Sequence, residues 1–177
     1  TLAISSAASD VYKRQEKCGV DIEDISLGIG LDSRIGGRFL RAGPAYGGSC
    51  FPKDTKGLVS ASNKFKVDLS LVKTVIKSNE NRVNLLIQRV HKILGKKLKN
   101  KRISFLGVTF KPNTDDMRDS SSLKMIPYLS KKGAKLSYYD PSGEKNEFKK
   151  IKNCSYKTNI KSNCHNISIL EADLKNF

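Results

Sequence analysis

Residues 102–140 read RISFLGVTFKPNTDDMRDSSSLKMIPYLSKKGAKLSYYD, and their pattern decides the fold class. RISFLGV (102–108) is a short apolar run of strand type, and AKLSYYD (134–140) is a second that ends at the Pro141-Ser142-Gly143 turn. Between them the Ser120 to Ser122 cluster opens a helix running to Lys132, with Gly133 in the stop position and Pro127 inside, where a kink is expected. Strand, helix and strand within about 40 residues make a βαβ unit. Ligands of such sheets bind beyond the carboxyl ends of the strands, so the polar loop TFKPNTDDMRD (109–119) is where one is expected. After Lys145 the chain is rich in Lys, Asn and Ser, and NISILEADL (166–174) offers one more strand or helical turn.

Upstream, Asp68 to Leu94 contains neither glycine nor proline, and Leu69, Val72, Ile76, Val83, Leu86, Val90 and Ile93 recur at three, four or seven. This predicts one amphipathic helix about 40 Å long, suited to connecting domains or forming a dimer. Gly95 and the basic run KKLKNKR end it, with cations near the negative end of the helix dipole. GVDIEDISLGIG (19–30) predicts a short helix with Asp21 as N-cap and Gly28 and Gly30 as stops. Residues 31–57, rich in glycine and holding Pro44 and Pro52, read as an ordered loop system. The texture changes abruptly at Glu16, so the Ala/Ser-rich residues 1–15 read as a leader foreign to the fold. The expected organisation is α/β: leader 1–15, a central helical region with its long connecting helix over 16–94, and a partial Rossmann-like parallel-sheet domain over 95–177.

Composition raises a rival reading. The 177 residues hold 33 Lys plus Arg against 17 Asp plus Glu, a formal charge of +16, which is the footprint of a nucleic-acid binder. Nine of the cations (Arg82, Arg89, Lys92, Lys96, Lys97, Lys99, Lys101, Arg102 and Lys111) fall between Asn81 and Thr114, where no acidic residue stands. A nucleic-acid groove wants cations interleaved with aromatics, whereas the 7% aromatic content sits mostly in predicted core or loop positions. A solvated basic face is therefore favoured. A pure dimerisation fragment built on the long helix is a third class. Apolar runs such as ISFLGV (103–108) fall short of the roughly 20 residues a membrane span needs, and the first residues make a poor signal peptide, so a cytoplasmic protein is expected. Cys18, Cys50, Cys154 and Cys164, with only His91 and His165 beside them, lack zinc-site spacing and do not form a disulfide framework.

The densest chemical signal is FLRAGPAYGGSCFPKD (39–54). Gly47 and Gly48 let main chain approach a ligand where a side chain would clash, and Cys50 stands just beyond. Cysteine is a nucleophile as thiolate, which nearby cations favour. Lys53 supplies a cation and Asp54 a possible base, although taken alone the stretch also suits a glycine turn before a buried cysteine, with Asp54 capping a helix from Thr55.

The stretch GLDSRIGGRFLRAGPAYGGSCFPKDTKGL (30–58) resembles the active-site segment of the nucleotide-sugar 6-dehydrogenases, the UDP-glucose/GDP-mannose dehydrogenase family, and residues 102–141 resemble the start of that family's C-terminal UDP-binding domain. The resemblance covers residues 16 to about 142. It implies NAD-dependent oxidation of UDP-glucose to UDP-glucuronate in two hydride transfers, with Cys50 as nucleophile and Asp54 assisting proton transfer and positioning water. It implies Lys53 and Arg118 near the NAD, and Phe39, Leu40, Arg41, Ala42, Gly43 and Gly47 lining the sugar and diphosphate. Arg34 is implied to reach substrate in the partner subunit of a homodimer, and Phe110 and Lys111 to hold the UDP-sugar. Each cation and Phe110 has a plainer reading as surface or core. Tyr46 and the SerCysPhePro run favour the UDP-glucose branch over sister enzymes for GDP-mannose or UDP-N-acetyl sugars. Ala45 replaces a usual glycine, and the Gly-x-Gly-x-x-Gly fingerprint of the N-terminal NAD domain is not found, so a fragment inactive alone is expected.

Overall fold

In the computed structural model, which describes residues 19–37, 40, 43–163 and 168–170, three helices precede a parallel sheet with its crossover helix. Helix α1 (Ile22–Gly30) starts where the sequence predicts: the Asp21 carboxylate accepts the Glu23 N–H at 2.8 Å, and Glu23 and Asp24 occupy the first turn, at the positive end of the dipole. It runs through Gly28 and ends at Gly30.

Helix α2 (Cys50–Lys64) corrects the expectation of a loop through residue 57. Pro52 is its third residue, and the N–H groups of a first turn have no intrahelical acceptor, so a proline there removes no bond. Asp54 accordingly lies inside the helix and caps nothing, while Thr55 donates its hydroxyl back to the Phe51 carbonyl at 2.8 Å.

Helix α3 (Ser70–Leu94) is the long helix of 25 residues. Val72 is buried in its first turn, whereas Val83 and Val90, two turns apart, belong to the core cluster of the sheet. The helix therefore serves both halves: it packs on α2 and on the crossover helix α4 (Ser122–Lys131).

Strands β1 (Arg102–Leu106), β2 (Lys135–Tyr139), β3 (Cys154–Tyr156) and β4 (Ser168–Leu170) form one sheet in the order β3-β2-β1-β4, every pair parallel. β4 gives NISILEADL its strand, flanked by residues outside those described. In β1 Ile103, Ser104 and Phe105 are fully buried, as expected for a strand covered on both faces. α4 continues across Pro127 because Met125, Ile126 and Leu129 are fully buried. Burial at about 1.5–3 kcal/mol each outweighs the ~3 kcal/mol cost of an internal proline. The core (Leu98, Ile103, Phe105, Val108, Met125, Ile126, Leu129, Leu136, Tyr138, Phe148) thus sits between β1–β2 and the helices.

Candidate active site

Two loops from opposite halves of the molecule meet beside Cys50. Gly48 has φ +78°, a region that favours glycine, and its N–H donates to the Arg118 carbonyl at 2.7 Å. A Cβ on Gly48 would stand 2.7 Å from the Phe110 ring, and one on Gly47 would stand 2.6 Å from the Asp119 carbonyl. The glycine pair is therefore what lets the loop before α2 seat against the loop after β1.

Cys50 is the first residue of α2, exposed, with its Sγ 3.7 Å from the Ser49 hydroxyl. The positive end of a helix dipole favours negative charge there. Asp54 lies one turn on along the same helix face. Its carboxylate is 3.4 Å from Lys53 Nζ, and both side chains are largely in solvent, so this ion pair adds little stability.

Opposite Cys50 stands the β1–α4 loop, its root pinned through the peptide groups of one residue and its turn closed by the Phe110 N–H donating to the Asp116 carbonyl at 3.2 Å. Val108 donates its N–H to Asp140 at 2.9 Å, and its carbonyl accepts the hydroxyls of Ser120 and Ser122, each at 2.6 Å. Arg118 forks onto Asp116 through Nε at 3.0 Å and Nη2 at 2.7 Å. These bonds hold the Asp116 carboxyl below the usual carboxylate range, and Asp116, with Cys50 as a lesser influence, makes Arg118 hold its proton more tightly. Lys111 Nζ sits 5.3 Å from the centre of the Phe110 ring. Gly47, Gly48, Cys50, Phe110, Lys111, Thr114 and Asp116 line a cavity of about 380 Å³, within the range of small-molecule sites.

The fold thus brings Cys50, Gly47, Phe110 and Lys111 to one cavity, with Arg118 at its edge. Other expected site residues stand apart from it. Arg34 is exposed and paired with Asp32. Leu40 is buried, and its carbonyl accepts the Ser26 hydroxyl at 2.9 Å. Gly43 is exposed, and Phe39, Arg41 and Ala42 lie outside the described residues. Sequence reasoning missed Asp116, Asp140, Ser120, Ser122 and Asn79, whose side-chain amide brackets the main chain of Tyr46. The DDMRD run, with an acid two residues before the arginine, carried a usable signal for Asp116; a polar residue within a long helix carried none for Asn79.

A loop bearing an exposed cysteine on a helical region faces the ligand end of a parallel sheet. Comparison with known proteins carries this to a family. The model of the UDP-glucose/GDP-mannose dehydrogenase family, central domain, matches residues 2–81, and that family's UDP binding domain matches residues 104–172. The chain belongs to the UDP-glucose/GDP-mannose dehydrogenase family. The second match runs on well past residue 142, where the resemblance visible in the sequence motifs stops. UDP-glucose 6-dehydrogenase of Rhizobium meliloti (strain 1021) is 46% identical over 136 residues, covering 77% of this chain and 31% of the relative. The enzyme of that name from Rickettsia typhi is 40% identical over 157 residues, covering 88% and 36%. The structure of a UDP-glucose dehydrogenase from the archaeon Pyrobaculum islandicum superposes with a TM-score of 0.86 at 29% identity, over 97% of this chain and 40% of that one. The chain therefore spans about a third of the length of these curated relatives.

Proposed function

We propose that the chain carries the nucleophile and the UDP-sugar side of an NAD-dependent UDP-glucose 6-dehydrogenase. The observation that carries this reading is the shared cavity: Cys50 faces Phe110 and Lys111, with Gly48 bonded to Arg118 as the joint. A loop at the carboxyl end of β1 is where a parallel sheet takes its ligand, and Lys111 gives that loop a cation for a diphosphate. The sugar C6 alcohol loses a hydride and a proton to become an aldehyde. The Cys50 thiolate adds to the aldehyde carbon, whose oxygen takes up a proton, and the resulting thiohemiacetal loses a second hydride together with that hydroxyl proton to give a thioester. Water, positioned by Asp54, then cleaves the C–S bond, releasing UDP-glucuronate and returning the thiol.

NAD, when bound, supplies the acceptor for both hydrides, two equivalents per turnover. Lys53 and Arg118 are the residues of this chain that would meet it: both are exposed cations on the Cys50 flank, which fits a diphosphate. Asp116 engages Nε and Nη2 of Arg118, which orients the guanidinium fork at the cavity edge. The same reading makes the protein a homodimer acting in the cytoplasm. Leu27, Leu31, Leu58, Phe65 and Leu71 of the helical region are all exposed, apolar side chains that a second copy would cover. Among the described residues no helix is long and apolar enough to cross a membrane.

The test is alkylation of Cys50, read by peptide mass spectrometry with and without UDP-glucose. UDP-glucose is expected to slow labelling of Cys50, with GDP-mannose and UDP-N-acetylglucosamine protecting less well. Equal labelling with and without every nucleotide sugar would sink the reading.

A further inference from the structure

We propose that Asn79 is a positioning residue for the Cys50 loop, acting through the main chain of Tyr46; this rests on the reading of Cys50 as the nucleophile. Asn79 lies 33 residues from Tyr46 in sequence, on α3. Its Oδ1 accepts the Tyr46 N–H at 2.9 Å, and its Nδ2 donates to the Tyr46 carbonyl at 3.0 Å. One side chain thus satisfies both polar groups of one residue, as a neighbouring strand would. Both bonds are partly buried, which limits competition from water.

Tyr46 is four residues before Cys50, and its ring packs on Phe51 at 5.2 Å. The loop between is short and carries two glycines, so it holds its shape only through its anchors. One anchor is Asn79 on the long helix, and the other is the Arg118 carbonyl on the β1–α4 loop. Both anchors act on main chain, and the Tyr46 ring adds a packing contact on Phe51 of α2. With the two in place, the start of α2 has one position relative to the sheet half, and the thiol keeps its setting at the helix N-terminus beside Arg118. Losing the Asn79 bracket frees one end of the loop and lets the thiol move away from Arg118.

Substitution chemistry gives a readout that general destabilisation does not. Asn79→Asp is isosteric; its carboxylate keeps an acceptor for the Tyr46 N–H but cannot donate to the Tyr46 carbonyl. Protonated, the carboxyl regains a donor, so the bracket reforms at acid pH. The cavity beside Asn79 also presents Lys56, Glu80, Asp119 and Lys124; the two lysines favour the carboxylate, and the two acids, with the facing carbonyl, oppose it.

The experiment measures the rate at which 4,4′-dithiodipyridine, which reacts with thiols even in acid, modifies Cys50 in the whole chain. Peptide mass spectrometry separates Cys50 from Cys154, whose slow reaction reports a folded sheet half. For Asn79→Asp the Cys50 rate is expected to fall about fivefold at pH 8 relative to the unsubstituted chain, and to return to within about twofold near pH 3.5, below the ordinary aspartate value of about 3.9. A rate within twofold of the unsubstituted chain at pH 8, or a loss that persists unchanged in acid, overturns the proposal. If Asn79→Asp exposes Cys154, Asn79→Leu takes its place. The Leu variant is expected to lose the same factor at both pH values, and an unchanged Cys50 rate overturns the proposal equally. Protection by UDP-glucose is measured separately on the unsubstituted chain. Its failure counts against the nucleophile reading and leaves the rate comparison standing.

Discussion

The two halves of the molecule meet at one site but are built to different standards of closure. In the sheet half Ile103, Phe105, Val108, Met125, Ile126, Leu129 and Ala134 have no solvent exposure at all. In the helical half the buried apolar side chains away from the sheet core are Leu40, Pro52 and Val72, with Val83 and Val90 of α3 packed into the sheet core, while Phe65 is 72% exposed and Leu71 79% exposed among the described residues. One half has a core of its own. The other shows its apolar side chains to solvent and borrows order from its neighbours: α3 anchors it on the sheet, and the glycine loop docks on Arg118. A site that combines a self-sufficient wall with a borrowed one is most vulnerable on the borrowed side, where Cys50 stands.

The largest effect should come from the closed half. Leu129→Ala empties space under α4 and is expected to cost about 2–5 kcal/mol in denaturant unfolding, whereas Leu71→Ala in the open half should stay within about 0.5 kcal/mol. Comparable losses at both positions would erase the contrast.

An intermediate effect should appear in alkali. Burial pushes the Cys154 thiol up to about 11 and the Tyr138 hydroxyl up to about 12, so the folded sheet half keeps these protons after the unfolded chain has lost them. The folded state then binds more protons than the unfolded one, and stability must fall as pH rises. The Cys154 contribution is intact below its ordinary value of 9 and is lost by about pH 11. Cys154→Ala should flatten that limb of the stability curve by up to about 2–3 kcal/mol, measured by unfolding at stepped pH. An unchanged slope would show that the thiol is not buried as described.

The smallest effect on stability should carry the largest change of assembly. Leu71→Asp is expected to leave denaturant unfolding within about 0.5 kcal/mol yet shift the protein from dimer to monomer in sedimentation velocity. A wild-type sedimentation profile would mean that Leu71 is not covered by a second copy.

How much of this was legible in the sequence follows the same divide. The βαβ unit and the long helix could be read from period and stop signals because each buries a continuous stripe, and burial leaves a pattern in the residues. The start of α2 could not, because Pro52 reads as a breaker wherever the first turn is not already located. Pro127 misled less: the apolar spacing around it kept a helix in view, and the fold kept the helix. For the site, Cys50, Gly47 and the Phe110-Lys111 pair, which the family resemblance singled out, line one cavity across some 60 residues of chain. Asn79 and Asp140 were invisible, because each acts on the main chain of a distant residue and a single polar side chain carries no period.

The peptide groups of Val108 set an order of assembly. Its N–H pairs with Asp140 and its carbonyl with Ser120 and Ser122, so the root of the loop that bears Phe110 and Lys111 is pinned to the sheet only when both α4 and the end of β2 are in place. Since a growing chain emerges from its N-terminus, Cys50 is made some 90 residues before Asp140. During synthesis the thiol therefore spends an interval as an ordinary exposed cysteine, and the wall opposite it is the last part of the site to form.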